Sequence, residues 1–240
     1  MLSIIFYIYV LVELTIFFVL SLIALVVCFP FDKPRRVVHE LSRGICMFFW
    51  YPPLTWKRTI KGLENVDKKK SYVIAINHNS MADILALYFV PLNFRWVSKR
   101  EVFRIPYIGQ FLHMHGDIAI DRSRGADSMR KVTEQGKMWI DRGVSIAMFP
   151  EGTRSKDGEI ARFKQGAFAL AKEAGVEILP VVMHGTRDVI KKNFMVNWRN
   201  HLTVSVLPPI SVEDVQNTPM PELIERTRAV MCEEYEKIRK

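Results

Sequence analysis

The sequence predicts an α/β fold: a mostly parallel, mixed central sheet flanked by helices and preceded by an N-terminal helical membrane anchor. Short apolar runs, typical of strands buried on both faces, alternate with helical patterns. One long apolar segment opens the chain, and a length of 240 residues suits a single domain with an appendage. A hydrophobic content of 49% with 25% charged residues excludes a disordered or low-complexity protein.

The apolar segment covers the first 31 residues, in which Glu13 is the one charged residue. About 20 apolar residues cross a bilayer core, so the segment is long enough to span with tilt. A cleaved signal peptide would need a basic start and a shorter apolar run. Lys33, Arg35 and Arg36 follow directly and place the downstream side in the cytosol. Because a charge facing lipid is expensive, we expect Glu13 to face protein, to carry a proton or to lie shallow.

The segment 36–56 has helical periodicity and ends near Pro52-Pro53. Its predicted apolar face consists of Val37, Val38, Leu41, Ile45, Phe48 and Phe49, and its polar face of Arg36, His39, Glu40 and Arg43. It is too short to span, and its aromatic end (Trp50, Tyr51, Trp56) suits the headgroup zone. We favour an interfacial helix over a core helix of the soluble part. The expected organisation is a membrane anchor at 1–56 and an α/β domain at 57–240.

Charge and cysteine content limit the partners of this domain. The chain has 34 Lys and Arg against 25 Asp and Glu, a formal charge of +9, of which residues 57–240 carry +8. Such a surface could meet anionic lipid, an acidic carrier protein or a phosphorylated substrate. Basic clusters with interleaved aromatic residues are missing from the sequence, so nucleic acid is not expected as a partner. Three scattered cysteines form no disulfide framework or zinc motif and indicate a cytosol-like compartment.

Five apolar runs predict strands: Tyr72–Ile76, Ile118–Ile120, Val144–Phe149, Ile178–Met183 and Leu202–Leu207. Helical patterns occupy 126–140, 164–174 and the C-terminal segment that starts at Thr218-Pro219. Pro180 lacks an amide hydrogen, which places the fourth strand at a sheet edge or a bulge.

The strongest chemical signal follows the first predicted strand, where Asn77-His78-Asn79-Ser80 leads into a helix that starts near Ser80. Ser80 and Asp83 have the spacing of a helix cap. His78 and Asp83 would point about 140° apart in a regular helix, so they can meet only if His78 precedes it. Asp83 could then hold one ring nitrogen while the other takes a proton from a hydroxyl. The alternative is a helix cap beside a hydrogen-bonded surface histidine.

A second signal, Phe-Pro-Glu-Gly-Thr-Arg-Ser at 149–155, ends the third predicted strand. Gly152 permits an unusual backbone angle or the close approach of a ligand. Thr153, Arg154 and Ser155 offer two hydroxyls and a bidentate guanidinium, a set suited to phosphate. The alternative is a plain surface turn.

A third signal is the segment 116–122, which ends in Asp121-Arg122. Arg122 could hold an anion or pair with Asp121 at the surface. Nearby, His113 and His115 could form a metal-ligand pair, but no third ligand is spaced to join them. We therefore expect a structural role for these histidines, and no metal is implied.

Together these segments resemble the phospholipid/glycerol acyltransferase family, the group that contains the 1-acylglycerol-3-phosphate acyltransferases. Its N-H-x-x-x-x-D block is matched by Asn77, His78 and Asp83, and its F-P-E-G-T-R-S block at every position of 149–155. Its G-x-x-x-I-[DE]-R block is matched by Gly116, Ile120, Asp121 and Arg122. Its hydrophobic-x-P-[VI] block is matched by Ile178, Pro180 and Val181. The segment 99–109 also looks like the family's K-x-E-L-F-x-I-P-x-x-G stretch, with Val102 in place of Leu. The resemblance covers about residues 57–210.

The resemblance implies a glycerolphosphate acyltransferase-like fold and an enzyme that transfers an acyl group from a thioester to the sn-2 hydroxyl of 1-acylglycerol 3-phosphate. The product is phosphatidic acid, in phospholipid biosynthesis. His78 would be the general base and Asp83 the group that orients it. Substrate binding is expected at Glu151, Gly152, Thr153, Arg154, Arg122 and Lys99, with Arg154 on the acceptor phosphate, Lys99 a second candidate for it, and Glu151 and Gly152 along the glycerol.

No cofactor is implied beyond the co-substrate, which is acyl-CoA or acyl-ACP (acyl carrier protein). The lipid partner would be lysophosphatidic acid in a membrane. The expected location of the active site is the cytosolic face, in a bacterial inner membrane. Two rival functions stay open: an acyltransferase that uses another lysolipid acceptor, and a membrane protein that binds anionic lipid without turnover.

Overall fold

A computed structural model of the chain describes residues 1–51, 55–121, 123, 125–191 and 193–240, and of Ala126 the backbone alone. Its strands are β1 Lys57–Lys61, β2 Tyr72–Ile76, β3 Phe94–Lys99, β4 Ile118–Ile120, β5 Ser145–Met148, β6 Glu177–His184 and β7 His201–Val206. Its α-helices are α1 Leu2–Cys28, α2 Arg36–Trp50, α3 Ala82–Ala86, α4 Ile108–His115, α5 Gly125–Ile140, α6 Gly166–Ala174, α7 Val212–Asn217 and α8 Met220–Ile238.

The described strands form one sheet in the spatial order β1-β7-β6-β2-β5-β3-β4. Strands β6, β2, β5, β3 and β4 are parallel, whereas β7 runs antiparallel to β6, and β1 follows the direction of β7. The predicted α/β class with a mostly parallel, mixed sheet is confirmed. Because β2 and β5 are parallel neighbours, the loops that follow their carboxyl ends meet at one edge of the sheet, where ligands bind in open α/β folds.

Strand β2 shows why the apolar runs were recognisable. Tyr72, Ile74 and Ile76 pack into the apolar cluster on one face of the sheet, and Val73 and Ala75 into the cluster on the other. All five residues are at most 1% exposed. A strand covered on both faces has no solvent side, so its sequence is apolar at successive positions.

Helices cover both faces of the sheet. Residues of α5, α6 and α8 build one apolar cluster with the sheet, and α1 and α2 contribute to the other. Phe6 of α1 and Trp50 of α2 belong to the same cluster as Ile74 and Leu179. Helices α1 and α2 therefore both pack on the α/β domain.

Strands β1 and β3 were not predicted, because polar residues interrupt their apolar pattern. In β3 the interruption is Arg95, which is fully buried. Its guanidinium donates to the side chain of Asn93 and to the carbonyl of Phe94, and it lies 4.7 Å above the ring of Trp139. Trp139 and the carbonyl of Pro34, to which the guanidinium also donates, are distant in the sequence and leave no local signal beside Arg95.

The edge position predicted from Pro180 is wrong, since β6 lies between β2 and β7. The antiparallel ladder with β7 starts only at Val181, opposite Val206. Pro180 sits just outside that ladder, opposite Leu207: its carbonyl accepts from the amide of Leu207, and proline has no amide hydrogen to return the bond. Regular pairing with β7 therefore stops at Pro180, and an isolated antiparallel bridge joins Ile178 to Ile210 beyond it.

Helix α2 is buried along a different stripe from the predicted one. Its buried residues are Val38, His39, Ser42, Cys46, Phe49 and Trp50. The placement of His39 on the polar face is wrong, because the residue is 1% exposed. Val37 and Phe48 of the predicted apolar face are instead 40% and 54% exposed. The expected boundary at Pro52-Pro53 lies outside the described residues.

Candidate active site

The structure brings His78 and Asp83 together. Nδ1 of His78 lies 2.9 Å from Oδ2 of Asp83, because His78 precedes α3 and its loop curls over the start of that helix. The same oxygen accepts from the backbone amides of Asn79 and Ser80, at 2.7 and 2.8 Å. Asp83 is fully buried. It is therefore held by backbone groups on one side and holds the imidazole on the other.

This arrangement fixes the tautomer of His78. A carboxylate that accepts from two amides stays an acceptor, so Nδ1 carries the hydrogen and Nε2 keeps its lone pair. Among the described residues, Nε2 has no hydrogen-bond partner. The side chain of His78 is 14% exposed, which leaves this nitrogen accessible at the edge of the sheet. A neutral imidazole in this state can take a proton from a hydroxyl.

Glu151 joins the loop after β5 to the loop after β2. One of its carboxylate oxygens accepts from the amide of His78 at 2.7 Å, and the other from the amide of Ala161 at 2.9 Å. Burial raises the pKa of Glu151, and the two amide hydrogen bonds oppose that rise. Because both oxygens bind backbone amides, Glu151 supports the two loops, and its place along the substrate glycerol stays a prediction.

Two more contacts lock the same loops. The amide of Ser155 donates to the carbonyl of His78 at 2.8 Å. The ring of Phe149 stacks on the imidazole of His78 at a centroid distance of 3.8 Å and an angle of 14°, and Trp96 stacks on the far side of Phe149. The imidazole is thus fixed by a carboxylate at its edge and by an aromatic ring against its face.

The basic and hydroxyl groups predicted to bind substrate lie at this edge of the sheet. Thr153 and Arg154 are exposed in the loop between Glu151 and Ser155, and Lys99 is exposed at the carboxyl end of β3. Gly152 has a φ of +73°, a conformation that L side chains rarely adopt. Arg122 lies outside the described residues.

Sequence reasoning missed Lys164, whose ammonium nitrogen would be 3.1 Å from a Cβ added at Gly152. This places a further exposed cation beside the turn that carries Arg154. Its amide also donates to the carbonyl of Pro150 at 2.8 Å, which fixes it to the same loop. A lysine in a polar segment carries no pattern of its own, so only the fold could reveal its position.

Helix α8 supplies a second set of contacts that sequence reasoning missed. The guanidinium of Arg228 donates to the carbonyls of Ile160 and Ala161, both at 3.1 Å. Tyr235 approaches the first loop, where its hydroxyl accepts from the side-chain amide of Asn79 at 3.2 Å. The C-terminal helix therefore holds both loops of the site from outside.

A second histidine–aspartate pair lies inside the domain. Nδ1 of His115 is 2.7 Å from Oδ1 of Asp117, and Nε2 of His115 is 2.9 Å from Nδ1 of His39. The structural role expected for His115 is what these contacts show. Among the described residues, no group of three or more His, Cys, Asp or Glu side chains could hold a metal ion.

Fold and site together define a class: an α/β protein with a histidine that a buried carboxylate holds at Nδ1 and that is open at Nε2, with exposed cations nearby. Comparison with known proteins identifies the family. A sequence profile of the acyltransferase family matches residues 57–184, more than half of the chain. The chain belongs to the acyltransferase family, as its motifs predicted.

Several curated relatives carry the name 1-acyl-sn-glycerol-3-phosphate acyltransferase. One from Chlamydomonas reinhardtii is 34% identical over 174 residues, which cover 72% of this chain and 52% of the relative. A chloroplast form from Arabidopsis thaliana is 33% identical, over 67% of this chain and 45% of its own length. The human alpha form is 32% identical, over 75% and 64%. The chain thus spans about half the length of the first two relatives.

A solved structure shows the same fold over the whole chain. It is the 1-acyl-sn-glycerophosphate (LPA) acyltransferase PlsC from Thermotoga maritima, with a TM-score of 0.69 and 98% of each chain covered. At 21% sequence identity this likeness concerns the fold.

Proposed function

We propose that the protein transfers an acyl group from a thioester to the sn-2 hydroxyl of 1-acylglycerol 3-phosphate and so forms phosphatidic acid. The observation that carries the proposal is the His78–Asp83 pair, locked to the loop of Arg154 by Glu151 and Ser155. The curated relatives bear the name of this reaction.

The proposed reaction needs one base and no covalent intermediate on the enzyme. Nε2 of His78 takes the proton of the acceptor hydroxyl while that oxygen attacks the thioester carbonyl carbon. The C–O bond forms, the C–S bond breaks, and the imidazolium returns its proton to the departing thiolate. Asp83 stabilises the imidazolium between these steps. Proton transfer of this kind contributes on the order of 10²–10⁴ in rate, and the positioning of two bound substrates contributes more.

Arg154 is proposed to hold the acceptor phosphate, with Lys99 and Lys164 adding positive charge. A guanidinium binds phosphate through two parallel hydrogen bonds, which fix the orientation of the glycerol as well as its position. The proposed acyl donor is acyl-CoA or acyl-ACP.

Membrane association is proposed from α1. By length and composition α1 could cross a bilayer, and 11% of its most apolar window is buried inside the protein. Its contacts with the domain extend along the helix: Ser3 binds the amide of Val196, and Phe18 packs on Tyr107 and Phe111. Residues 3 to 18 span about 22 Å of helix axis. We therefore propose that α1 lies along one leaflet, because a spanning helix would carry the packed domain into the hydrocarbon.

This orientation agrees with the polar residues of α1. Glu13 and Ser21 are buried, at 6% and 0% exposure, on the side that faces protein. Residues 1–56 would then be a membrane-facing part of the domain, with the active site at the cytosolic surface. A bacterial inner membrane is retained as the proposed location. An acceptor could reach His78 without leaving the lipid.

The experiment is thiol release by the purified full-length protein with lysophosphatidic acid in vesicles and either acyl-CoA or acyl-ACP. His78→Ala should abolish release, whereas the matched variant His201→Ala, at an exposed histidine that begins β7, should keep it. Lipid binding, measured by flotation with vesicles, should survive in both. A His78→Ala variant with full activity would end the proposal, and a wild-type protein that binds anionic lipid without thiol release would indicate the binding function.

The role of Arg154 gives a separate test. Arg154→Ala should raise the KM for lysophosphatidic acid at least about tenfold, since a charge-assisted hydrogen bond contributes roughly 1.5–3 kcal/mol. The KM for the thioester should change little. Arg199→Ala, at another exposed arginine, is the control. An equal effect with a lysolipid that lacks an exposed phosphate would argue against phosphate recognition by Arg154.

A further inference from the structure

A short hairpin next to α1 presents an exposed aromatic side chain. Ile190 and Val196 form an antiparallel bridge, and the amide of Lys191 donates to the carbonyl of Met195 at 2.9 Å. At the tip, Phe194 is 78% exposed, and Met195 is 47% exposed. We call the described residues of this segment, 190–191 and 193–196, the tip hairpin. Its apolar tip has no role in the proposed chemistry.

The tip hairpin is rigidly attached at its base. Val189 and Val196 are buried in the same apolar cluster as Phe6 of α1. The amide of Phe194 donates to the carbonyl of Lys191 at 2.9 Å, and Phe194 itself has a φ of +61°. A non-glycine residue in this region is strained, and such strain persists only where the surroundings determine the conformation. The contacts around the hairpin therefore hold Phe194 in a strained backbone conformation with its side chain exposed.

Two hydrogen bonds tie the tip hairpin to the first turns of α1. The hydroxyl of Tyr7 donates to the carbonyl of Phe194 at 2.7 Å, and the hydroxyl of Ser3 accepts from the amide of Val196 at 3.2 Å. The neighbouring residues Ile4 and Ile8 of α1 are 64% and 57% exposed. The apolar tip is therefore continuous with the lipid-facing surface proposed for α1.

We propose that the tip hairpin is a second membrane contact, which inserts Phe194 and Met195 into the leaflet that holds α1 while Lys191 meets anionic headgroups. The inference rests on the proposed membrane association of α1. Exposed Lys191 and the net charge of +8 on residues 57–240 favour an anionic lipid surface as the occupant. An aromatic ring at the headgroup level with a basic neighbour is typical of interfacial anchoring.

Two membrane contacts on one rigid domain would fix its orientation on the membrane, which the contact through α1 alone does not. A single helix lying in a leaflet leaves the protein free to roll about the helix axis. A second inserted point beside that axis fixes the roll, and with it the height of the site above the membrane. The tip hairpin would therefore set the access of a lipid acceptor to His78 without contacting it.

The test uses an environment-sensitive fluorophore on single cysteines in the full chain, with Cys28, Cys46 and Cys232 replaced by serine. Probes at Phe194→Cys, Ile8→Cys and Val230→Cys report on the hairpin, on α1 and on an exposed site of α8, respectively. In nanodiscs that contain anionic lipid, the probes at 194 and 8 should shift to the blue and be quenched by shallow spin-labelled lipid. The probe at 230 should stay accessible to an aqueous quencher.

The outcomes separate the two proposals. If the probe at 8 enters lipid and the probe at 194 stays in water, the hairpin proposal is overturned and the membrane association of α1 stands. If neither enters lipid, both are overturned, whatever the acyltransferase assay shows. Protection at 194 that depends on protein concentration instead of lipid would indicate a second copy of the chain and would also overturn the proposal.

A functional arm avoids dependence on the probes. Phe194→Ser should lower thiol release with vesicle-borne lysophosphatidic acid about fivefold. The same variant should keep wild-type rates with a short-chain acceptor dispersed as monomers, because that acceptor does not need the membrane. Val230→Ser is the matched control. Equal loss with both acceptors would show a folding defect at the hairpin and would contradict the proposed role.

Discussion

The domain contains two histidine–aspartate pairs that share their chemistry and differ in their surroundings. In both, Nδ1 of the imidazole meets a buried carboxylate oxygen, at 2.9 Å for His78–Asp83 and 2.7 Å for His115–Asp117. The Asp83 oxygen also accepts from the backbone amides of Asn79 and Ser80, and the Asp117 oxygen accepts from the backbone amide of Trp96. The difference lies at Nε2. It is open at the edge of the sheet in His78, and in His115 it meets His39 and, at 3.3 Å, the guanidinium of Arg95.

The comparison shows that a carboxylate beside a histidine does not by itself make a catalytic pair. A general base needs a nitrogen that a substrate hydroxyl can reach, and the His115 side chain is only 3% exposed. The interior pair instead links α2, β3 and α4 through buried polar groups. Function thus depends on which end of the imidazole the fold leaves free.

The largest contrast is expected from removing each carboxylate. Asp83→Asn should lower kcat in the folded protein on the order of 10²–10⁴, since the tautomer of His78 is no longer fixed, and it should also lower Tm, because Asp83 is buried and accepts from two backbone amides. Asp117→Asn should destabilise the fold by roughly 2–4 kcal/mol, because it disrupts a buried hydrogen-bonded pair. The activity of the folded fraction should be unchanged. Thiol release and thermal unfolding of the same preparations measure both.

The variants Asp83→Asn and Asp117→Asn serve as controls for each other, because each removes a carboxylate beside a histidine and only the first is expected to lower kcat. If Asp83→Asn kept its turnover, Asp83 would be a helix cap and would have no part in the reaction. Loss of turnover in well-folded Asp117→Asn would place the interior pair in the reaction and remove the distinction drawn between them.

Acid should destabilise the folded protein through the histidines of the interior pair and its neighbour His39. Burial lowers the pKa of His39 well below its ordinary value, with His115 and Arg95 lowering it further, and burial also lowers the pKa of His115. The folded state then binds fewer protons than the unfolded chain, so stability is full above about pH 6.5 and falls as the pH drops below it. The slope is about 1.4 kcal/mol per pH unit for each titrating group.

Unfolding by denaturant between pH 5 and 8 measures this loss. His39→Phe removes one titrating group from the interior cluster and should flatten the profile in the acid range. Exposed His201→Phe is the control and should keep the wild-type profile. An unchanged acid slope in His39→Phe would mean that His39 is not protonated on unfolding in this range.

A smaller effect is expected where Glu151 holds the His78 loop. Glu151→Gln can accept from one of the two amides but presents an NH2 group to the other. We expect kcat to fall about tenfold, which corresponds to the loss of one hydrogen bond of about 1.4 kcal/mol, with the KM for both substrates nearly constant. Steady-state kinetics test this, and Glu159→Gln, at an exposed carboxylate paired with Arg239, is the control. A rise in the KM for the acceptor alone would instead indicate that Glu151 binds the substrate directly.

The smallest effect concerns the aromatic face of each pair. Phe149→Leu removes the ring stacked on His78, and Tyr88→Leu removes the ring 5.2 Å from His39. Aromatic contacts contribute about 0.5–1.5 kcal/mol beyond their area. The first variant should lower kcat severalfold with little change in Tm, and the second should lower Tm and leave kcat of the folded protein unchanged. The reverse pattern in parallel kinetic and thermal measurements would contradict the assignment of the two pairs.

Much of the site could be read from the sequence because its residues are close together along the chain. His78 and Asp83 are five residues apart, and strand, loop and helix signals between them predict how they meet. The segment 149–155 is likewise continuous. Arg228, Tyr235 and Lys164 could not be found this way, since each reaches the site only through packing and has an ordinary helical or polar neighbourhood.

The sequence by itself determined the α/β class, the strand β2 with the His78–Asp83 pair that follows it, and the long apolar helix, because each depends on a local period or a short motif. The tertiary structure decided the position of β6 inside the sheet, the burial of Arg95 and His39, and which imidazole keeps an open nitrogen. The physical reason is that burial of a polar group depends on hydrogen-bond partners far away in the chain, and local patterns carry no record of them.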